Sequence, residues 1–132
     1  MRTLLVIDDD PTWRLLYRLE FEGRFRVIEA ADGEEGLRRY DETSPDLVIV
    51  DLRMPRMDGA AFLEHLQGKP QVAPVIVCSA VSDEAESLVR PGLRGVRIVS
   101  KWPNLRELRQ VVLSLTPEPL VPDPGPAPDR PA

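Results

Sequence analysis

The stretch LVIVD at residues 47–51, followed by LRMPRMDG at residues 52–59, decides the fold class. Four consecutive apolar residues before one aspartate predict a short strand that is covered on both faces, because a half-exposed strand would alternate apolar and polar residues. The chain contains five short β-rich runs, three of which are nearly all apolar like this one, and we expect each run to form a strand. The runs are Thr3–Ile7, Phe25–Glu29, Leu47–Val50, Val75–Cys78 and Val96–Val99.

Longer segments with helix signals separate these runs. Leu15, Leu16 and Leu19, together with Tyr17, are expected to form the apolar stripe of the first helix. Because strands that alternate with helices are joined by right-handed crossovers, the sequence predicts an α/β fold, a doubly wound (βα)5 parallel sheet. Capping residues mark the predicted helix starts at Asp10-Pro11, Asp32 with Glu35, Asp58-Gly59, Ser82 or Asp83, and Asn104 with Glu107.

The chain divides into one domain and a short tail. A length of 132 residues suits a single core, and residues 1–116 carry all the strand and helix patterns. Residues 117–132 hold seven of the fourteen prolines, which excludes a helix or a central strand there. We therefore expect a tail that is extended and disordered, with no output domain after it.

Composition excludes several classes of function. A net charge of −5 leaves no basic surface for direct nucleic-acid binding. Cys78 is the only cysteine, so no intramolecular disulfide can form, and we expect a cytoplasmic location. The N-terminus does not have the pattern of a signal peptide, and no apolar stretch is long enough for membrane insertion.

Polar residues that could bind a ligand or take part in a reaction follow four of the predicted strands. Asp8 and Asp9 follow the first strand, Asp51 the third, Ser79 the fourth and Lys101 the fifth. Because ligands of an open parallel sheet bind just outside the carboxyl ends of its strands, we expect these residues to share one edge. Three carboxylates there would repel one another, and a hard divalent cation such as Mg²⁺ would remove that repulsion. A carboxylate could then act as a nucleophile towards phosphorus.

These residues resemble the receiver domain of two-component response regulators, and in particular stand-alone chemotaxis regulators. The stretches that carry the resemblance are LVIDDD at residues 5–10, PDLVIVDLRMPRMDG at residues 45–59 and PVIVCSA at residues 74–80, with Lys101. The resemblance covers residues 2–115 and implies a flavodoxin-like sheet with the strand order 2-1-3-4-5.

The resemblance also implies roles for individual residues. Asp51 matches the phosphoacceptor, with Mg²⁺, or Mn²⁺ in its place, as the cofactor. The metal ligands would be Asp9, Asp51, Asp8 partly through water, and the backbone carbonyl of Arg53. Ser79 matches the hydroxyl residue that contacts the phosphoryl group and moves on activation. Lys101 matches the lysine that pairs with that group.

The resemblance implies protein partners rather than a metabolic substrate. The phosphoryl donor would be a phosphohistidine on a histidine kinase or phosphotransfer protein, and the domain would catalyse no more than its own dephosphorylation. Phosphorylation would change the surface of the fourth helix, fifth strand and fifth helix for an unidentified downstream protein. Receivers often pair with a second copy through that surface.

Two positions depart from the receiver pattern. Trp102 stands between Lys101 and Pro103, where the family has a proline in a cis peptide directly after the lysine. Because a cis bond before a residue other than proline costs about 3–4 kcal/mol, we expect a trans bond or a rearranged loop there. Ile98 stands where many members have an aromatic switch residue, so the readout is expected to differ.

Two other functions fit parts of the sequence. One is a degenerate receiver that binds partners without phosphorylation, which the positions Trp102 and Ile98 favour. The other is a haloacid-dehalogenase-like phosphatase, because DDDPT at residues 8–12 fits that family's DxDxT pattern, with Asp8 as the nucleophile and Asp10 as the acid or base. The phosphatase reading leaves the MPRMDG stretch unexplained.

Overall fold

The computed structural model describes residues 2–52, 54, 57–70, 72–79, 95–100 and 105–115. Every predicted strand is present and is one residue longer than its predicted span. The strands are β1 (Arg2–Ile7), β2 (Phe25–Ala30), β3 (Leu47–Asp51), β4 (Val75–Ser79) and β5 (Val96–Ser100). β1 is buried from its second residue onwards and β3 along its whole length, as expected for strands covered on both faces.

The five strands form one parallel sheet in the order β2-β1-β3-β4-β5. Both the α/β fold class and the flavodoxin-like strand order are therefore confirmed. Because all five strands run in the same direction, their carboxyl ends lie along one edge of the sheet. β1 and β3 are neighbours in this order, which brings the residues after β1 next to the end of β3.

The described part of the chain contains four helices. Three of them begin at the predicted aspartate caps: the carboxylates of Asp10, Asp32 and Asp58 accept backbone N–H groups at 2.9, 2.8 and 2.9 Å. The helices are α1 (Pro11–Phe21), α2 (Gly33–Thr43), α3 (Gly59–Gln67) and α4 (Arg106–Leu115). α4 is the predicted fifth helix. The predicted fourth helix, with its Ser82 or Asp83 cap, and Asn104 lie outside the described residues.

Helices cover both faces of the sheet, so the doubly wound arrangement is confirmed. On one face, Phe62, Leu63 and Leu66 of α3 pack with Tyr40 of α2 on side chains of β1, β3 and β4. On the other face, α1 and α4 pack against the sheet through the buried residues Tyr17, Phe21, Leu108 and Val112. An ion pair between Arg109 of α4 and Glu20 of α1, 2.5 Å from Nε to Oε2, joins these two helices.

The predicted apolar stripe of α1 is wrong except at Tyr17. Tyr17 and Phe21 are buried and Trp13 packs beside them. These three aromatic residues recur every four positions, which places them on one face of the helix, and they have more apolar area to remove from water than the leucines. The exposed fractions of the three leucines are 52% at Leu15, 39% at Leu16 and 64% at Leu19.

The boundary between the domain and the tail stays a prediction. α4 ends at Leu115, and residues 116–132 lie outside the described residues. None of the helices in the described part of the chain is long and apolar enough to cross a membrane.

Candidate metal centre

Three carboxylates meet at the carboxyl edge of the sheet. Asp8 and Asp9 directly follow β1, and Asp51 is the last residue of β3. One carboxylate oxygen from each lies within 4.8 Å of the others. Asp8 is 1% exposed and Asp51 is 9% exposed, whereas Asp9 is open to solvent. The group is therefore anchored in the sheet on one side and approachable from the other.

Backbone hydrogen bonds hold Asp8 in place. Its N–H donates to the carbonyl oxygen of Ala30 at the end of β2, at 3.1 Å. Its carboxylate oxygen Oδ1 accepts the N–H of Asp10 at 3.0 Å, because the chain turns there into α1. The orientation of this carboxylate thus depends on the junctions of β1 with both β2 and α1.

The three carboxylates fit a hard divalent cation. Like charges at this separation repel, and more strongly where burial lowers the local dielectric constant. Mg²⁺ prefers oxygen ligands at about 2.0–2.1 Å, so two ligand oxygens on opposite sides of the ion stand about 4.2 Å apart. The three carboxylate oxygens all lie within 4.8 Å of one another, which is near this separation. Asp8, Asp9 and Asp51 could therefore hold Mg²⁺ with small side-chain movements.

Glycine at position 59 allows the chain to return close to Asp51. A Cβ atom at this position would lie 2.5 Å from the backbone oxygen of Asp51 and 2.9 Å from the Cα atom of Leu52. The N–H of Gly59 donates to the carbonyl oxygen of Leu52 at 2.9 Å, which closes the β3–α3 loop. Packing therefore explains the glycine that ends the LRMPRMDG stretch, since any larger residue at position 59 would overlap the backbone of Asp51 and Leu52.

The other predicted site residues are described in part or not at all. Ser79 is the last residue of β4 and pairs with Ser100 of β5, but its side chain lies outside the described part of the structure. Arg53, Lys101 and Trp102 also lie outside it. The structure therefore brings three of the predicted residues together, and the roles of the others stay predictions. Ile98 is partly buried against the core shared with α2 and α3.

The sequence interpretation missed the position of the Tyr17 hydroxyl. Tyr17 is fully buried, and among the described residues its hydroxyl has the Cys78 thiol as a neighbour and no oxygen or nitrogen partner. Cys78 is itself buried and stands opposite Asp51 in the β3–β4 register. Burial raises the pKa of Tyr17 far above its ordinary value, and Cys78, Asp8 and Asp51 raise it further. A neutral hydroxyl therefore lies in the core below the acidic residues.

A network of two arginines and one glutamate was also missed. The carboxylate of Glu29 in β2 accepts hydrogen bonds from Arg14 Nε at 3.0 Å and from Arg18 Nε at 2.9 Å. Burial alone would raise the pKa of Glu29, but the hydrogen bonds and charges of Arg18 and Arg14 outweigh it, so this pKa lies below its usual value. Two arginines four residues apart and a lone acid in an apolar strand were the available signal in the sequence.

Comparison with known proteins identifies the family. The family model of the response regulator receiver domain matches residues 4–113. The chain belongs to this family. Receiver domains are typically signalling modules rather than enzymes, and phosphorylation on aspartate and Mg²⁺ binding are general features of the family. The resemblance that rested on the motif residues is therefore confirmed.

Two curated relatives illustrate the range of the family. The chemotaxis protein CheY of Listeria monocytogenes is 37% identical over 86 residues, which covers 64% of this receiver domain's chain and 72% of that protein. The Regulator of RpoS of Escherichia coli K12 is 32% identical over 117 residues, which covers 86% of this chain and 34% of that protein. This chain thus matches about a third of the second relative.

Solved structures share the receiver fold. The response regulator TrrA of Thermotoga maritima, crystallised in complex with Mg(2+)-BeF, is 31% identical with a TM-score of 0.78, covering 87% of this chain and 99% of that one. The CheX-CheY-BeF3-Mg+2 complex of Borrelia burgdorferi gives 27% identity and a TM-score of 0.72, covering 86% and 88%. Both neighbours support the parallel sheet and its strand order.

Proposed function

We propose that this receiver domain accepts a phosphoryl group on Asp51, with Mg²⁺ or Mn²⁺ held by Asp8, Asp9, Asp51 and the backbone carbonyl of Arg53. The observation that carries the proposal is the meeting of three carboxylate oxygens within 4.8 Å at the carboxyl edge of the sheet. The family match over residues 4–113 supports the same chemistry. The bound ion would neutralise the negative charge of the carboxylates and of the incoming phosphoryl oxygens.

Asp51 suits the role of nucleophile because of its position. It ends a fully buried strand, so its backbone is fixed, and it keeps a small exposed surface, 9%, at the carboxyl edge of the sheet. A carboxylate oxygen of Asp51 would form a bond to phosphorus as the phosphorus–nitrogen bond of a phosphohistidine breaks. The electron pair of the broken bond would return to the donor's imidazole, which leaves as the neutral base because its other ring nitrogen carries a proton before the transfer.

Ser79 and Lys101 would contact the phosphoryl group once it is attached. Ser79 ends β4, the neighbour of β3 in the sheet, so its hydroxyl could donate to a phosphoryl oxygen. Lys101 directly follows the last residue of β5, and its ammonium group would pair with the negative charge of the phosphoryl group. Both roles rest on the positions of these residues in the chain and on the family pattern.

The partners would be proteins. The donor would be a histidine kinase or a phosphotransfer protein, and exposed apolar side chains on α1 support a protein contact near the acidic residues. α1 begins at Pro11, two residues after Asp9, and carries Leu15, Leu16 and Leu19 on its exposed side. The output would pass through β5, α4 and the segment before β5 to another protein. The single buried cysteine, Cys78, fits a reducing cytoplasm.

Intact-mass measurement after incubation with acetyl phosphate and Mg²⁺ tests the proposal. We expect one phosphoryl adduct on the wild-type protein and none on Asp51→Asn. Labelling that persists in Asp51→Asn and disappears in Asp8→Asn would instead support the phosphatase reading. A folded wild-type protein with neither an adduct nor Mg²⁺ binding would support the degenerate receiver.

A further inference from the structure

Arg14 bonds to the backbone of one of the acidic residues. Its terminal nitrogen Nη1 donates to the carbonyl oxygen of Asp8 at 2.6 Å, and its Nε donates to Glu29 Oε1 at 3.0 Å. The side chain of Arg14 is only 18% exposed. We infer that Arg14 is a positioning residue that holds Asp8 in the orientation needed for divalent-metal binding. This inference rests on the proposed function.

The contacts of Arg14 complete a closed ring around Asp8. The N–H of Asp8 donates to Ala30, the residue after Glu29 in β2. The carbonyl oxygen of Asp8 accepts a hydrogen bond from Arg14, and Arg14 donates a second hydrogen bond to Glu29. The backbone of Asp8 is therefore held on both sides by the same end of β2. A shift of that backbone would turn the Asp8 carboxylate away from Asp9 and Asp51.

The ring requires the shape of arginine as well as its charge. The guanidinium group is planar and presents several N–H donors in fixed directions, so Arg14 can bond Glu29 and Asp8 at the same time. A lysine ammonium would keep the positive charge but could not reproduce both directions. Groups that orient a metal ligand without touching the metal often change metal affinity about 10–100-fold when they are replaced.

Arg18 provides a matched control on the same helix. It lies one turn after Arg14 and donates to the same glutamate through Nε and Nη2. Within the described part of the chain, Arg18 pairs with Glu29 and Glu22, and neither is an acidic residue of the metal centre. Replacing Arg18 therefore disturbs Glu29 but leaves the contact between Arg14 and Asp8 in place.

The experiment measures Mn²⁺ binding by electron paramagnetic resonance, because the signal of free Mn²⁺ reports affinity without any phosphorylation step. The proteins are the wild type, Arg14→Met, Arg14→Lys and Arg18→Met, each checked for folding by thermal unfolding without metal. We expect Arg14→Met to bind Mn²⁺ about 10-fold more weakly than the wild type. Arg14→Lys should be nearly as weak, and Arg18→Met should stay within about twofold.

Three outcomes would overturn the positioning role: unchanged affinity in both Arg14 variants, full recovery in Arg14→Lys, or equal weakening in Arg18→Met. Full recovery by lysine would mean that charge alone matters. If Arg14→Met does not fold, Arg14→Lys and Arg18→Met still decide between these outcomes. A wild-type protein that binds no Mn²⁺ and takes no phosphoryl group would contradict the proposed function itself. If the wild type binds Mn²⁺ and the Arg14 variants bind it equally well, only the positioning role is contradicted.

Discussion

The backbone N–H of Gly33 donates to the carbonyl oxygen of Met57 at 3.1 Å, and a Cβ atom on Gly33 would lie 2.4 Å from that oxygen. Gly33 is the first residue of α2, and Met57 lies in the β3–α3 loop. The start of α2 therefore supports the loop that leaves Asp51. The contact is possible only because residue 33 has no side chain.

Gly33→Ala should lower the free energy of unfolding by about 1–3 kcal/mol, since the added methyl group overlaps backbone rather than a flexible side chain. Gly23→Ala is the matched control, because a Cβ atom there meets nothing within 4 Å, and it should change stability by less than about 0.5 kcal/mol. Urea unfolding of both variants makes the comparison. Equal stability of the two would show that the close approach to Met57 is not a constraint.

The buried face of α1 can be tested with one exposed and one buried residue. Leu19→Ala should change the free energy of unfolding by less than about 0.5 kcal/mol, because Leu19 is 64% exposed. Phe21→Ala should cost about 3–5 kcal/mol, because it leaves a cavity under the helix. Thermal or urea unfolding gives both values. A large decrease in the free energy of unfolding for Leu19→Ala would show that α1 buries its leucines, as the sequence predicted.

The strands were predictable because their signal is local. A covered parallel strand needs a nearly continuous apolar run, which β1, β3 and β4 have, whereas β2 and β5 at the edges of the sheet are short β-rich runs that include charged residues. The meeting of Asp8, Asp9 and Asp51 followed from the same reasoning, since residues that end neighbouring parallel strands share an edge. The aspartate caps of α1, α2 and α3 were local signals as well.

The face that α1 buries was not predictable from hydrophobicity alone. Its leucines and its aromatic residues form two competing apolar faces, and packing on the sheet chose Trp13, Tyr17 and Phe21. The role of Arg14 was hidden for another reason: its partners are a backbone carbonyl and a side chain fifteen residues away. Such contacts depend on how β1, β2 and α1 join in three dimensions, which residue spacing does not encode.

Tyr17→Phe should leave the protein as stable as the wild type or more stable by about 1 kcal/mol, because it removes a buried hydroxyl that lacks an oxygen or nitrogen partner among the described residues. Urea unfolding at pH 7 measures the change. A loss of 1 kcal/mol or more would indicate a hydrogen bond that this hydroxyl makes and that stabilises the fold.

The same burial predicts a pH dependence. The pKa of Tyr17 is raised in the folded protein, so folding favours the protonated hydroxyl. Above the unfolded pKa of about 10, the unfolded chain loses this proton and the folded protein keeps it. The free energy of unfolding is therefore unaffected by this group below about pH 10 and decreases at higher pH, where only the unfolded chain releases the proton. Absorbance titration should show that Tyr17 ionises only on unfolding; ionisation of both tyrosines in the folded state would contradict the burial of Tyr17.

Removing one carboxylate should have opposite effects with and without metal. Without divalent ions, Asp9→Asn should stabilise the protein, since it reduces repulsion with Asp8 and Asp51. With Mg²⁺ at 100 times its Kd, the wild type should gain about 2.7 kcal/mol and the variant much less. Asp10→Asn is the control: it also removes one charge next to the site, but asparagine can still cap α1. Equal Mg²⁺ stabilisation of Asp9→Asn and the wild type would exclude Asp9 as a ligand.

The measurement that tests the central claim most directly is borohydride trapping of the phosphorylated residue. Borohydride reduces an aspartyl phosphate to homoserine, so peptide mapping by mass spectrometry locates the acyl phosphate. After incubation with acetyl phosphate and Mg²⁺, we expect homoserine at position 51 and unmodified aspartates at positions 8, 9 and 10. Homoserine at position 8, or no conversion at any of these positions in the folded protein with Mg²⁺ bound, would contradict the assignment of Asp51 as the phosphoacceptor.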